Sequence, residues 1–304
     1  TDLDQQSRSD SSSSPLWESY FKKGWLRYDK DSNSYSVEWE DAHVLHSAHS
    51  EAGRGMELSE LCMFNNRLYT GDDRSGIVYE VVDFDTTGSD PRVYPRMLLV
   101  EGDGEGDKGM KIEWMTVKDN SLLVGSFGKE YTLDSGEIKN RWNMWVKEIA
   151  ADARLTSHDW TSRYEWMRSE LGYSYPGYLL HETAVFSHIM RKWLFLPRRM
   201  SKEPYTDSLD EHKGANTMIL VDEQFTSLDA KTVGVLTPER GFSSAKFVPG
   251  SKDQVVVALK TAEDAEKGTQ ESFITVFNLD GETLLPETPI PGAHKYEGIE
   301  FLPN

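Results

Sequence analysis

Glu57-Leu58-Ser59-Glu60-Leu61 is the first of five short segments that repeat one pattern along this chain. The others are Lys111-Ile112-Glu113-Trp114-Met115, Leu180-His181-Glu182-Thr183-Ala184, Gly241-Phe242-Ser243-Ser244-Ala245 and Tyr296-Glu297-Gly298-Ile299-Glu300. Aligning Ser59, Glu113, Glu182, Ser243 and Glu297 gives intervals of 54, 69, 61 and 54 residues. Each segment runs into an apolar stretch, such as Leu61-Cys62-Met63-Phe64 or Ala245-Lys246-Phe247-Val248, and a turn with further β-rich sequence usually follows. One unit recurring about every 60 residues points to a closed radial array, because each sheet needs a neighbour on both faces to bury itself. The expected fold is therefore all-β, a five-bladed β-propeller whose innermost strands line a central channel. Five equivalent side chains then converge on one axis. Three carboxylates and two hydroxyls, with no Cys or His among them, suit a hard cation, Ca²⁺ ahead of Zn²⁺.

The bulk properties fit a folded domain. A chain of 304 residues can build one large all-β domain or two ordinary ones. No segment has the composition of an interdomain linker, so a single domain over 1–304 is expected. Aromatic residues make up 11% and there are nine Trp, which excludes a disordered acidic chain. The formal charge of −18 repels nucleic acid and anionic membranes. An anionic substrate needs a local basic patch or a bound cation. No apolar run approaches the roughly 18 residues needed to cross a bilayer, so no membrane span is expected in this chain. The single cysteine, Cys62, excludes an intrachain disulfide, and its apolar neighbours mark it as a buried side chain rather than a reactive thiol.

Residues 7–14 read as a mobile loop. Gly24–Tyr28 and Tyr35–Trp39 alternate as strands around a turn-rich Asp29–Ser34. Asn65-Asn66 and Asp119-Asn120 read as hairpin turns. Asp159–Leu171 has helical spacing, with Trp160, Tyr164, Met167 and Leu171 on one face and Gly172 as its stop. It is expected to be a short helical insertion packed outside a blade. Later strands are expected at Lys192–Leu196, Thr217–Val221, Gln254–Leu259 and Phe273–Phe277.

Several charged segments carry possible chemistry. Gly71-Asp72-Asp73-Arg74-Ser75-Gly76 places two carboxylates on a tight turn, where they can orient a water or serve as ordinary turn residues. Leu196-Pro197-Arg198-Arg199 offers adjacent guanidiniums suited to phosphate oxygens. Lys213-Gly214-Ala215-Asn216 and Gly125-Ser126-Phe127-Gly128-Lys129-Glu130 pair lysine with glycine, without Walker-loop spacing. Gly102–Asp107 is acidic and Gly-rich but lacks the EF-hand ligand spacing. His43, His46 and His49 recur every three residues in an otherwise polar stretch, which disfavours a metal site. No Ser–His–Asp or Cys–His arrangement can be assembled.

Taken together, Gly53–Glu60, Asp72–Gly76, Gly128–Glu130, Pro176–Glu182, Phe195–Arg199, Lys213–Asn216, Gly241–Ser244 and Lys295–Phe301 resemble the soluble calcium-activated nucleotidases. This apyrase family includes vertebrate secretory-pathway enzymes and salivary apyrases of blood-feeding arthropods. The resemblance runs in order from Asp2-Leu3-Asp4 nearly to the C-terminus. It implies a five-bladed propeller with Ca²⁺ in its channel and hydrolysis of nucleoside di- and triphosphates. The implied Ca²⁺ ligands fall on Ser59, Glu113, Glu182, Ser243 and Glu297, the positions the repeat selects by itself. Glu60 departs from the Asp of vertebrate members, and the apolar strand usual before Asp2 is missing from this chain. A secreted or secretory-lumen location is implied, and a homodimer is compatible with it.

For such a reaction the task is attack of water on a highly charged phosphoryl group, which is mostly charge neutralisation and alignment. Arg54, Lys129, Arg198 and Lys213 are the expected substrate-binding cations. Asp72, Asp73 and Glu130 are the candidates to orient or deprotonate the water, and Tyr178 and Trp25 are aromatic groups that could stack on the base. Two rivals keep a Ca²⁺ channel: a noncatalytic propeller used as a protein-binding module, and a propeller lactonase or phosphotriesterase. The first has no need of the cations, and the second leans on Asn and His ligands.

Overall fold

In a computed structural model, which describes residues 1–9, 14–85, 89–133, 135–264 and 268–303, apolar runs became strands buried on both faces. The chain opens with a long antiparallel hairpin, β1 (Trp17–Asp29) and β2 (Ser34–Ser47). A first four-stranded sheet follows: β3 (Leu58–Phe64), β4 (Arg67–Asp72), β5 (Ile77–Val82) and β6 (Arg92–Leu98). The second takes β7 (Trp114–Lys118), β8 (Ser121–Gly125), β11 (Trp145–Ala150) and β12 (Leu155–Asp159). A small ribbon of β9 (Tyr131–Thr132) and β10 (Ile138–Asn140) interrupts it. The third contains β13 (Tyr178–Ser187), β14 (Lys192–Ser201), β15 (Thr217–Asp222) and β16 (Leu228–Thr232). The fourth contains β17 (Arg240–Phe247), β18 (Val255–Asp264), β19 (Thr269–Asn278) and β20 (Thr283–Pro289).

The apolar cores lie between neighbours around a ring. Cys62 and Phe64 of β3 pack with Met115 and Val124 of the second sheet, whereas Leu61 and Met63 of the same strand pack toward the hairpin. That alternation sends one face of β3 to each neighbour. Similar clusters join the second sheet to the third, the third to the fourth, and the fourth to the hairpin through Tyr20, Leu26 and Trp39. Trp17, Phe21 and Leu45 complete the circuit against the first sheet.

Five blades are thus corrected to four four-stranded sheets and a two-stranded hairpin in the remaining sector. The physical reason lies in the last segment. Lys295 bridges Asp2 and Glu297 bridges Ser59, but these are isolated bridges and no ladder builds from them. The inner place of that sector is held by single backbone bonds, Asp2 N–H to Lys295 and Glu60 N–H to Glu297.

Asn65-Asn66 and Asp119-Asn120 form the expected hairpin turns, all four with positive φ, as a two-residue connection of that hand requires. The insertion is α1 (Thr161–Leu171), stopped by Gly172 at φ +76°. It does not lie on the outside of a blade. Trp160, Tyr164 and Met167 are buried with Trp114, Trp193 and Phe225 in the core shared by the second and third sheets. A second, single-turn helix is α2 (Asp207–Asp210). Cys62 is buried and unpaired, and burial raises its thiol pKa. Residues 10–13 of the expected mobile loop lie outside the described residues; Ser7 beside them is buried in a short 3-10 turn, Asp4–Ser7.

Candidate metal and phosphate site

The inner strands β3, β13 and β17 each carry a register break where the repeat places its polar residue. The ladder skips between Ser59 and Leu61, between His181 and Ala184, and between Phe242 and Ser244. An extra residue in one strand frees a side chain from the pleat and re-aims it. In β3 the inserted residue is Glu60, held at φ +60°. Glu113 precedes β7 and anchors by its N–H to the Gly125 carbonyl.

Four of the five repeat positions are nearly inaccessible, and Glu182 is only slightly more open. The Ser59 hydroxyl donates to Glu297 Oε2 at 3.1 Å, and the Ser243 hydroxyl to the Tyr296 carbonyl at 3.2 Å. Arg198 reaches between two of the carboxylates: its Nη1 donates to Glu182 Oε2 at 2.6 Å and to Glu297 Oε1 at 3.0 Å. The same guanidinium donates to Thr261 Oγ1 and, through Nη2, to Glu263 Oε1 at 2.6 Å. Lys111 bridges Asp73 and Glu113, the latter at 2.7 Å. Lys295 pairs with Asp2, with Glu263 at 2.9 Å and with Glu297 at 3.6 Å.

Burial pushes the Glu113 carboxyl up to about 8 against the pull of Lys111, and the Glu182 charge adds to the rise. Burial likewise raises Glu297 well above the carboxylate range, again with Glu182 and Asp2 contributing. Three carboxylates from three repeats therefore feel one another inside the ring. Asp2, Asp73, Glu113, Glu182, Glu263 and Glu297 outnumber Lys111, Arg198 and Lys295. An enclosed donor set made of oxygens is of the kind that suits a hard divalent cation. Among the described residues, Asp2, Asp4 and Glu57 are the one carboxylate trio whose oxygens lie within 4.8 Å of one another, and Arg54 and Lys295 already meet them.

The expected cations separate by environment. Arg198 is enclosed by carboxylates rather than standing free at a strand end. Arg54 pairs with Glu57 and Asp4, and Lys213 with Glu203 at 2.6 Å. Lys129 is buried; it donates to the Glu130 carbonyl and lies 4.0 Å from the Tyr205 ring centre. Burial pulls its ammonium down to about 8. Lys129, Glu130, Tyr175, Tyr178 and Tyr205 line a small open cleft of about 100 Å³. Trp25 is exposed on the hairpin, away from that lining.

The three candidate water-orienting groups also differ. Asp72 accepts from the N–H groups of Met56, Arg74 and Ser75, which braces its own turn. Glu130 is held through both oxygens at 2.7 Å by Arg168 of α1. Asp73 pairs with Lys111 through Oδ2, while its buried Oδ1 has no partner. Burial raises Asp73 to about 6.

Sequence reasoning missed Asp2, Glu57, Lys111, Glu263 and Lys295. A signal for two of these was present: Lys111 and Lys295 each stand two residues before a repeat glutamate. Alternation along an extended chain turns residues i and i+2 to one side.

The apyrase family model matches residues 3–302. The chain is 43% identical over 302 residues to "Soluble calcium-activated nucleotidase 1" of Mus musculus, covering 99% of this chain and 72% of the relative. It is 42% identical over 292 residues to "Apyrase" of Cimex lectularius, covering 95% and 78%, and 38% identical over 304 residues to "Apyrase apy-1" of Caenorhabditis elegans, covering 99% and 82%. The Dos1 propeller, at 14% identity and TM-score 0.36 over 90% of this chain and 63% of its own, is too distant to extend the description of the fold. With a model match over nearly its whole length and relatives above 30% identity, this chain belongs to the apyrase family.

Proposed function

We propose that this chain is a calcium-dependent nucleotidase that hydrolyses nucleoside di- and triphosphates and releases inorganic phosphate. The observation that carries the reading is the convergence of Glu182 and Glu297 on one guanidinium, beside buried Glu113, in a chain whose relatives are named for calcium activation and apyrase activity. Ser59, Glu113, Glu182, Ser243 and Glu297 would hold the Ca²⁺. When bound, the ion supplies a Lewis acid and a template for phosphate oxygens. The ring, with its hairpin sector, is taken to act as one domain.

The chain's own residues complete the chemistry. Arg54, Lys129 and Lys213 would turn from their present partners to the substrate phosphates, which would let a protein of net charge −18 take an anion. Asp73 is the favoured group for orienting the attacking water, because its buried Oδ1 has no partner while Asp72 and Glu130 have their oxygens committed. Lys111 keeps Asp73 in place through Oδ2. The binding-module rival gains nothing from a buried carboxylate with a vacant lone pair.

Phosphate release and calcium calorimetry on two variants test the reading. Glu182→Gln should lose both tight Ca²⁺ binding and turnover. Asp73→Asn should keep Ca²⁺ binding and lose about 10²–10⁴-fold in kcat, the range of a general base. Wild-type calcium affinity in Glu182→Gln, or an unimpaired Asp73→Asn, would remove that residue from its role.

A further inference from the structure

Arg198 and Arg199 are neighbours in β14, and alternation sends them to opposite sides of the strand. Their circumstances are opposite too. Arg198 donates to Glu182, Thr261, Glu297 and Glu263. Arg199 is 3% exposed, yet its Nε and Nη1 have no hydrogen-bond partner. Its nearest carboxylate is Asp210, with Oδ2 3.7 Å from Nε, too far for a hydrogen bond. The other oxygen of Asp210 accepts from the Tyr178 hydroxyl at 2.6 Å.

A buried guanidinium with open donors is costly, and native proteins satisfy such groups with a ligand or water. Among the described residues, Arg168 is buried as deeply, but both its terminal nitrogens hold Glu130. Arg199 pairs across the sheet with Leu180, two residues before Glu182, and Tyr178 at the start of β13 lines the open cleft. Arg199 thus shares the β13–β14 pair with Glu182 and reaches the cleft through Asp210, whose other oxygen accepts from Tyr178 of the lining. Burial and the Arg198 charge both disfavour its charged form, and an anion relieves both.

From the burial, the open Nε and Nη1 and this position, we propose that Arg199 anchors a phosphate group of the substrate, its planar fork taking two phosphate oxygens. The proposal deepens the nucleotidase reading and rests on it. Arg198, spent on carboxylates, acts instead as their holder.

The test is calorimetric binding of adenosine 5′-(α,β-methylene)diphosphate, a diphosphate whose bridging carbon resists hydrolysis, in the presence of Ca²⁺. Arg199→Gln should weaken the analogue at least tenfold while the Ca²⁺ titration stays within about twofold of wild type. Arg199→Lys should fall between them, since it restores the charge without the fork. Full analogue affinity in Arg199→Gln overturns the proposal. So does a parallel loss of Ca²⁺ affinity, which would make Arg199 a strut. If Arg199→Gln does not fold, Arg199→Lys decides: intermediate affinity supports the anchor and wild-type affinity overturns it. Failure of the wild type to bind Ca²⁺ defeats the nucleotidase reading itself, a result distinct from any change confined to Arg199.

Discussion

Arg198 is the residue on which the electrostatics of the ring turn. Its guanidinium is the counter-charge to Glu182 and Glu297, so a cation in the channel would compete with it for the same oxygens. Removing one partner of a buried ion pair leaves an uncompensated charge and costs about 3–5 kcal/mol. Arg198→Ala should therefore melt well below wild type in chelator. Calcium can then replace the lost charge, so the calcium-induced rise in Tm should exceed that of wild type. Melting curves with and without Ca²⁺ decide this, and an equal rise in both proteins would mean that Arg198 and the ion do not share ligands. The sequence reading put Arg198 among the substrate-binding cations and gave Arg199 no role of its own. Nothing local distinguishes them, because their partners, Glu263 and Glu297 for one and Asp210 for the other, come from other parts of the chain. The same blindness covers Glu130: a carboxylate on a Gly-rich turn looks alike whether it faces water or an arginine 38 residues away.

At the scale of elements, strands and turns were legible wherever one strand's own pattern decided them. Apolar runs ended by Asn-Asn or Asp-Asn gave hairpins, and Trp160, Tyr164 and Met167 gave a helix. The bulges were not legible, since a skipped pairing depends on the partner strand. Glu60 shows what one bulge achieves. Its Oε1 accepts from Ser244 and Lys246 of β17, each at 2.8 Å, and its backbone N–H reaches the Glu297 carbonyl. One inserted residue thus ties the first sheet, the fourth sheet and the terminal segment. Lys246→Met should strand the Glu60 carboxylate and cost about 3–5 kcal/mol of stability. Adding Glu60→Gln removes the stranded charge and should recover part of the loss. Denaturant unfolding of the single and double variants measures this, and strictly additive losses would show that the two side chains are not coupled.

Across the whole molecule, the five-fold repeat predicted five blades, whereas the chain builds four four-stranded sheets and a two-stranded hairpin. Five apolar interfaces close the ring, yet the sector ending at Glu297 is a hairpin with isolated bridges in place of an inner ladder. Repeat spacing reports where a unit recurs, and it is silent on which distant segment supplies the remaining strands. In the nucleotidase reading the −18 charge is reconciled with an anionic substrate by Ca²⁺ together with cations such as Lys129 of the cleft. On that reading the outcome rests with bound Ca²⁺. The most direct test is the initial rate of phosphate release from a nucleoside diphosphate as free Ca²⁺ is raised from chelator, with Mg²⁺ as the comparison. Ca²⁺ accepts an irregular shell of six to eight oxygens, whereas Mg²⁺ demands a tight octahedron and keeps its waters. The rate should be negligible in chelator, saturate with Ca²⁺ and recover poorly with Mg²⁺; full turnover in Mg²⁺ with calcium chelated would contradict the channel-ion account.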